Sequence, residues 1–291
     1  MVQRVASRRT RLDWPAAAAQ RGSLLTSIDN AVRQAVSVLR HRPAALASDI
    51  DGTLSRIVSD PEDAVVSERA RAALRRLLRR LDLVAVITAR QDAVARRLIG
   101  LDEVTYMGSY ALDAAANARL RESEGGALRR WAATIIGGVP GARLEEKDVS
   151  FAFHYRGSPD PWAARLALLD RVAPFAASAA GRIVEGKRVI EVVPALLPDK
   201  DAAFARLVNE HRLRGAVFMG DDGADGAVFR AIAARQHVGL EALAVAVIDP
   251  ETPPSLIESA GVTLDGVDAV EAFLDALATA IETGANPGVA S

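Results

Sequence analysis

Two aspartates separated by one residue follow a short apolar stretch of the chain. Residues 44–54 read AALASDIDGTL, so Asp49 and Asp51 stand at the end of the stretch with a glycine behind them. Carboxylates at the end of a buried strand are costly unless a cation neutralises them, and their hard oxygen atoms suit Mg²⁺. One carboxylate of such a pair can attack phosphorus while the other transfers a proton. The alternative is an Asp/Gly turn in which aspartate accepts hydrogen bonds from nearby N–H groups.

A second acidic group follows a second apolar stretch. Residues 216–219 read AVFM and are followed by Gly220, Asp221 and Asp222, with Asp225 three residues further on. The local alternative is that Asp222 or Asp225 caps the N-terminus of a helix. Two acidic groups at the ends of strands in one sheet favour a single divided cation site. The candidate metal ligands are therefore Asp49, Asp51, Asp221, Asp222 and Asp225.

Thr88 and Lys200 are candidates for holding a phosphate group. Thr88 follows the apolar run 83–87, and its hydroxyl, together with the N–H groups of the next helix, can bind a phosphate oxygen. Lys200 opens a predicted helix, where a cation opposes the helix dipole. Neutralisation of Asp49 and of a substrate phosphate explains that placement. The ordinary alternatives are a threonine helix cap and a solvent-exposed lysine.

The segments that position these residues alternate between strand and helix. Apolar spacing predicts helices over 24–41, around 74–81, and over 91–99, and strands ending at Asp49 and covering 83–87 and 104–107. The same alternation returns after residue 198, with helices over 200–213, 225–235 and 267–282 and strands over 216–219, 242–247 and 262–264. This order predicts a parallel sheet with helices on both faces, and ligands bind at the carboxyl ends of such strands.

The intervening stretch follows another pattern. It predicts a helix over 127–136, strands over 144–147 and 149–155, a helix around 166–172, and a hairpin of strands 182–185 and 188–193. We therefore predict an α/β fold with a Rossmann-like parallel-sheet core and an inserted α/β cap domain. The predicted divisions are an N-terminal extension with one helix (1–43), the catalytic core (44–122 and 197–283), the cap (123–196) and a disordered tail (284–291).

Composition excludes several classes of site. The chain has 291 residues, a formal net charge of −1 and no cysteine. Disulfides and thiolate metal sites are thereby excluded, and no broad positive charge attracts nucleic acid. No apolar run is long enough to suggest a membrane span. We expect a cytoplasmic protein, a monomer or a weak homodimer, with neither a nucleic-acid nor a membrane partner.

In order along the chain, the motifs resemble the four-motif set of haloacid-dehalogenase-like (HAD) phosphatases. That set is met here by Asp49-Ile50-Asp51-Gly52-Thr53, Thr88, Lys200, and Gly220-Asp221-Asp222 with Asp225. The resemblance implies a HAD-type core and a Mg²⁺-dependent reaction through an aspartyl-phosphate. It implies that Asp49 is the nucleophile and that Asp51 protonates the leaving oxygen and then activates water. The remaining motif residues would hold phosphate (Thr88 and Lys200) and Mg²⁺ (Asp221 and Asp225).

Segments of the predicted cap narrow the resemblance to trehalose-phosphate phosphatases. In that family E-x-K, H-Y-R and G-K-x-V-x-E segments recognise the disaccharide, and this chain has Glu145-Glu146-Lys147, His154-Tyr155-Arg156 and Gly186–Glu191. The substrate-binding residues implied are Arg90 of the second motif and Glu145, Lys147, His154, Arg156, Lys187 and Glu191 of the cap. The alternative is a solvated sheet face with cross-strand ion pairs, a structural histidine and an ordinary turn.

Several positions depart from the family pattern. The second motif reads Thr88-Ala89-Arg90 in place of Ser-Gly-Arg, and the other departures are at Tyr110, Val193, Asp201, Ala224 and Gly226. Because the catalytic carboxylates are present, the resemblance predicts a sugar-phosphate phosphatase that hydrolyses trehalose 6-phosphate in trehalose biosynthesis. Two alternatives stay open: a phosphatase of the same fold for another sugar phosphate, and a module that binds a sugar phosphate without turnover.

Overall fold

The structure is a computed structural model that describes residues 25–58, 60–108, 125–147, 150–179, 181–195 and 198–284. The predictions for residues 1–24, for the boundary at 122–123, for Tyr110 and for the tail beyond Gly284 lie outside the described residues. Across the described part of the chain, no helix combines the length and the apolar character that a membrane span requires.

Helices and strands alternate along most of the chain. In chain order they are α1 (Ile28–Leu39), β1 (Ala44–Ser48), α2 (Glu68–Leu78), β2 (Leu83–Ile87), α3 (Asp92–Ile99), β3 (Thr105–Met107), α4 (Gly125–Ile136), β4 (Arg143–Glu146), β5 (Phe151–His154), α5 (Pro161–Ser178), β6 (Gly181–Gly186), β7 (Val189–Pro194), α6 (Lys200–Glu210), β8 (Gly215–Gly220), α7 (Asp225–Ala233), β9 (Glu241–Ile248), α8 (Pro254–Ser259), β10 (Val262–Asp265) and α9 (Gly266–Thr283). A short 3₁₀ turn covers Pro61–Asp63.

Six strands form a parallel sheet in the order β10-β9-β8-β1-β2-β3. Every residue of β1 is buried, and its side chains alternate between the two faces. Leu46 packs into the apolar cluster under α1, α2 and α9, whereas Ala45 and Ala47 pack into the cluster under α6, α7 and α8. A continuously apolar strand is what a sheet covered on both faces requires, and the predicted α/β fold with a Rossmann-like core is confirmed.

A second sheet is formed by the segment between β3 and α6. Its four strands are antiparallel in the order β4-β5-β7-β6. Helices α4 and α5 pack against this sheet around Phe175, whose ring makes edge contacts with the rings of Trp131, Phe151 and Phe153. This unit, called the cap below, has its own apolar cluster, separate from the two clusters of the parallel sheet.

Some element boundaries differ from the predictions. Helix α5 continues through Pro174 to Ser178, because the buried Phe175 beyond the proline anchors its last turn against the cap sheet. Helix α6 ends at Glu210, three residues before the predicted end. Helix α8 was not predicted at all, since its six residues are too few to show a helical period.

Candidate active site

The predicted phosphate-handling residues meet at one edge of the parallel sheet. Ser48 lies opposite Val86 of β2 and Met219 of β8, so the residues after these three strands share an edge. Asp49, Thr88 and Asp221 therefore lie side by side, and all three side chains are buried. The carboxyl edge of a parallel sheet is where ligands bind in this architecture.

Lys200 neutralises two of the buried carboxylates. Its Nζ lies 3.0 Å from Oδ1 of Asp49 and 2.7 Å from Oδ1 of Asp225, and the lysine is 2% exposed. These two contacts explain why a lysine is tolerated at the first position of α6, where the helix dipole opposes a cation. The predicted contact between Lys200 and Asp49 is present in the structure.

Asp222 and Asp225 organise the turn between β8 and α7. Oδ1 of Asp222 accepts hydrogen bonds from the N–H groups of Ala224 and Asp225 at 2.9 and 3.1 Å. Oδ2 of Asp225 accepts from the N–H groups of Asp221 and Asp222 at 2.8 and 3.0 Å. The capping alternative thus describes part of what both residues do. One carboxylate oxygen of Asp225 accepts hydrogen bonds from the backbone and the other accepts from Lys200, so Asp225 holds both the lysine and the turn in place.

The donor set at this edge fits a hard divalent cation. Asp49, Asp221 and Asp225 each offer a carboxylate oxygen, and these oxygens lie within 4.8 Å of one another. Burial raises the pKa of Asp49 to about 7 and the pKa of Asp221 to about 8, and it raises the pKa of Asp225 well above its ordinary value. Charged carboxylates at this depth require a compensating cation, and oxygen donors of this kind suit Mg²⁺.

Gly52 allows the first acidic loop to approach the second. Its φ is +80°, and a Cβ at this position would lie 2.0 Å from Oδ2 of Asp221. A Cβ there would displace the Asp221 carboxylate, and most residues other than glycine avoid this backbone conformation. The glycine behind the two aspartates of the first motif therefore permits the close approach between the loop after β1 and the side chain of Asp221.

Asp51 is held by Arg90. The Nε of Arg90 donates to Oδ2 of Asp51 at 2.6 Å and Nη2 donates to Oδ1 at 2.7 Å. The backbone N–H of Arg90 also donates to the Thr88 hydroxyl at 3.2 Å, so the second motif forms one unit. Unlike Asp49, Asp51 is only half-buried and faces the cleft between the core and the cap.

The cap carries paired charged groups into the same cleft. His154 lies 2.7 Å from Oε2 of Glu145, and this hydrogen bond lowers the pKa of the Glu145 carboxyl. Lys147 donates to Oε2 of Glu191 at 3.1 Å, and the Ser150 hydroxyl donates to the other Glu191 oxygen. These are the cross-strand pairs of the alternative interpretation. Their position in the cleft also suits recognition of a polar ligand, because the pairing fixes their orientation.

Lys187 crosses from the cap to the acidic edge of the core. Its Nζ lies 2.7 Å from Oδ2 of Asp221 and 2.8 Å from Oδ2 of Asp249, with the side chain 5% exposed. Asp249 was missed in the sequence, although the signal was present, because it follows the apolar strand β9 as Asp49 follows β1. Glu251, two residues later, was also missed. The Glu251 carboxylate forms salt bridges with Arg156 and Arg188 of the cap.

One cleft of about 690 Å³ contains nearly all of the predicted site residues. Its described lining includes Asp49, Asp51, Thr88, Arg90, Glu145, Lys147, His154, Arg156, Lys187, Glu191, Lys200, Asp221 and Asp222. Asp225 is absent from the described lining and lies fully buried next to Lys200. The volume is in the range of pockets that enclose small organic ligands, and the lining joins an acidic edge to a polar sheet.

Replacement of the buried lysine tests the charge balance of this site. At pH 8, Lys200→Met is expected to lower the free energy of unfolding by about 3 kcal/mol, because it leaves Asp49 and Asp225 buried without their cation. Urea unfolding followed by circular dichroism measures the change. The matched control on the same helix is Arg206→Gln, which removes an exposed pair with Glu210 and is expected to cost no more than about 0.5 kcal/mol. Equal stability of the two variants would contradict the role given to Lys200.

Comparison with known proteins gives one family. The trehalose-phosphatase family model matches residues 47–255 of this chain. A trehalose-phosphate phosphatase of Mycolicibacterium paratuberculosis (strain ATCC BAA-968 / K-10) is 33% identical over 238 residues, which are 73% of this chain and 57% of that protein. The chain therefore spans less than two thirds of the length of this curated relative.

Solved structures share the fold at lower identity. The C-terminal domain of the C. albicans trehalose-6-phosphate phosphatase has a TM-score of 0.72 at 20% identity, covering 88% of this chain and 97% of that one. The C-terminal domain of a Candida albicans trehalose synthase regulatory protein has a TM-score of 0.62 at 15% identity, covering 87% of this chain and 100% of that one. At these identities the likeness concerns the fold alone, and the fold is found in a protein titled as regulatory as well as in one titled as a phosphatase.

Proposed function

This chain belongs to the trehalose-phosphatase family, and from that premise we propose that it hydrolyses trehalose 6-phosphate to trehalose and phosphate. The observation that carries the proposal is the shared cleft, in which the buried Asp49 of the core faces Glu145, Lys147 and Glu191 of the cap. A phosphate group and a polar disaccharide need opposite walls of this kind. One wall must neutralise charge and the other must form hydrogen bonds to hydroxyl groups.

The proposed first step is attack on phosphorus. A carboxylate oxygen of Asp49 forms a bond to phosphorus while the bond to the sugar oxygen breaks, and Asp51 gives that oxygen a proton. In the second step Asp51 takes a proton from water, which attacks the aspartyl-phosphate, so that phosphate leaves and Asp49 is regenerated. Both oxygens of Asp51 are engaged by Arg90 in the structure. We therefore expect Arg90 to exchange Asp51 for the substrate phosphate before the proton is transferred.

Thr88, Lys200 and the acidic residues hold the phosphate end. The Thr88 hydroxyl and the N–H groups that open α3 suit phosphate oxygens, and Lys200 beside them favours the deprotonated form of Asp49 against the effect of burial. Asp49 and Asp221 are the proposed direct ligands of Mg²⁺. Asp225 is not proposed as a direct ligand, because one of its oxygens accepts from Lys200 and the other from the backbone. When bound, Mg²⁺ supplies charge neutralisation for the transferred phosphoryl group.

Two alternatives are distinguishable by assay. The departures at Val193, Ala224 and Gly226 leave room for another sugar phosphate, and the fold also occurs in a protein titled as regulatory. A complete nucleophile, acid and lysine at the core edge favour turnover over binding alone. The direct test is phosphate release from a panel of sugar phosphates and one small aryl phosphate. The proposal expects the highest kcat/KM with trehalose 6-phosphate. A higher value for another sugar phosphate, or release from none, would reject it.

Glu191 of the cap is expected to act only on the sugar. Glu191→Ala should lower kcat/KM for trehalose 6-phosphate by about 10- to 100-fold, because it removes hydrogen bonds of a charged group and releases Lys147. Hydrolysis of the aryl phosphate should change little, since that substrate does not reach the cap. Steady-state kinetics on both substrates measure the difference. Equal losses on both would assign Glu191 to the fold, and no loss on either would remove it from the substrate site.

A further inference from the structure

We infer that the loop after β9, residues 249–252, is the docking site of the cap on the core, and that Asp249 and Glu251 are positioning residues for the sugar-phosphate reaction. The loop receives three cations from the cap. This loop is called the β9 loop below. The inference rests on the proposed function for the reaction, whereas the docking itself is read from contacts that do not involve the substrate.

Glu251 joins two cap residues that are distant in sequence. Its Oε1 lies 2.8 Å from Nε of Arg188, and its Oε2 lies 3.2 Å from Nη2 of Arg156. Lys187 adds the third contact through Asp249, at 2.8 Å. The Lys187 side chain is 5% exposed, whereas those of Arg156 and Arg188 are 37% and 32% exposed. Water and salt therefore screen the Lys187 contact less than the two arginine contacts, which lie at the rim of the interface.

The β9 loop is held rigid before it meets the cap. Oδ1 of Asp249 accepts a hydrogen bond from the N–H of Glu251 at 2.7 Å, and the Thr252 hydroxyl accepts from the N–H of Asp249 at 2.8 Å. Thr252 is buried. The Asp249 carboxylate and the backbone of Glu251 thus have fixed positions relative to β9, which is paired with β8. A rigid acceptor loses little conformational entropy when the cap docks.

The cap presents its cations from a turn that is itself unusual. Gly186 and Val189 are paired across the β6–β7 hairpin, so Lys187 and Arg188 form the two-residue turn. Arg188 has a φ of 62°, which side chains other than glycine rarely adopt. Arg156 donates to the backbone oxygen of Lys187 at 3.1 Å and so joins the turn to the end of β5. The strained turn directs neighbouring cations to separate carboxylates, as functional turns often do.

Docking sets the distance between the two walls of the cleft. Glu145 and Glu191 lie on the cap sheet, and Asp49 lies on the core, so the sugar and the phosphorus are aligned only when the cap is seated. Loss of a docking contact shifts the equilibrium away from the seated state and reduces the apparent affinity for a substrate that spans both walls. A small aryl phosphate spans only the core wall and does not depend on the seated state.

Kinetics test the role of Glu251. Glu251→Gln is expected to lower kcat/KM for trehalose 6-phosphate by about tenfold, chiefly through KM, and to leave aryl phosphate hydrolysis within about twofold of the parent. The matched control is Glu185→Gln, which breaks an equally close pair with Arg165 that lies wholly within the cap. Glu185→Gln should leave the hydrolysis of both substrates at the parental rate. The double variant Glu251→Gln with Arg188→Gln should cost little more than Glu251→Gln alone, because both changes remove the same contact.

A distance measurement tests docking without any substrate. The chain has no cysteine, so spin labels can be placed uniquely on Ala163→Cys of α5 and Val238→Cys of the core, both exposed positions. Pulsed electron resonance should give a narrow distance distribution in the parent and in Glu185→Gln. Glu251→Gln should broaden it toward longer distances.

The outcomes separate this inference from the proposed function. If no sugar phosphate is hydrolysed by any variant, the proposed function fails, and the distance distribution alone decides whether Glu251 docks the cap. Unchanged kinetics together with an unchanged distribution in Glu251→Gln would overturn the inference. An equal loss on both substrates with a lowered melting temperature would also overturn it, since Glu251 would then support the fold and not the position of the cap.

Discussion

Asp49→Asn is expected to abolish turnover of every phosphate substrate, lowering kcat by at least about 10⁴-fold, because the amide cannot attack phosphorus. The side chain keeps its shape, and an uncharged group at this buried position avoids the cost that raises the pKa of Asp49 to about 7. We therefore expect the variant to fold and to melt at or above the parent temperature. Phosphate release in single-turnover and steady-state assays measures the loss.

The control for this prediction removes a carboxylate that plays no part in the site. Asp268 is exposed and pairs with Arg56 on the outside of the core, so Asp268→Asn should retain parental kinetics. Turnover of Asp49→Asn near the parental rate would exclude Asp49 as the nucleophile. A loss of turnover could also come from unfolding of the variant. The melting temperature of Asp49→Asn distinguishes the two causes, because a folded variant melts at or above the parent temperature.

Removal of divalent cations is the second change with a large expected effect. Excess chelator should eliminate hydrolysis of both the sugar phosphate and the aryl phosphate, because the cation serves the core wall that both substrates share. The carboxylates of Asp49, Asp221 and Asp225 are buried, and one oxygen of each lies within 4.8 Å of the others. Their negative charges repel an incoming phosphate unless a cation is bound. Mg²⁺ should restore activity, whereas Na⁺ at equal ionic strength should not.

The chelation experiment has a readout that does not depend on activity. Mg²⁺ should raise the melting temperature of the parent, since a ligand that binds only the folded state stabilises it. Asp221→Asn should lose most of that rise, because Asp221 is a proposed ligand and its oxygen lies at the close approach to Gly52. Full activity after dialysis against chelator, with no thermal effect of Mg²⁺, would contradict the cation site.

The core could be predicted from the sequence because its signals are local. Strand β2 has the predicted limits, since five consecutive apolar residues between a polar turn and Thr88 are typical of a strand that is buried on both faces. The acidic residues after β1 and β8 could likewise be placed at one edge, because parallel strands share their carboxyl ends. Helix α8 is short and gives no such pattern.

The relation between cap and core could not be predicted, because it depends on contacts between residues that are distant in the chain. The motif of Lys187 predicts that it binds the substrate, whereas in the structure its Nζ contacts Asp221 and Asp249. The motif of Arg156 predicts the same role, and in the structure this arginine contacts Glu251. A single sequence shows which residues carry charge but not which opposite charge each one meets. The direct role of both residues toward a sugar stays a prediction.

The order of strands in the core has a consequence for folding. Strands β1 and β8 are neighbours in the sheet, yet Thr53 and Asp221, whose side chains meet beside them, are 168 residues apart in the chain. Contacts over such separations form slowly. The acidic residues after β8 then approach Asp49 in a slow step that is opposed by charge repulsion. Lys200 and Asp225, however, are only 25 residues apart and share the α6–β8–α7 segment. The segment that brings the second group of negative charges to the site thus carries its own counter-ion.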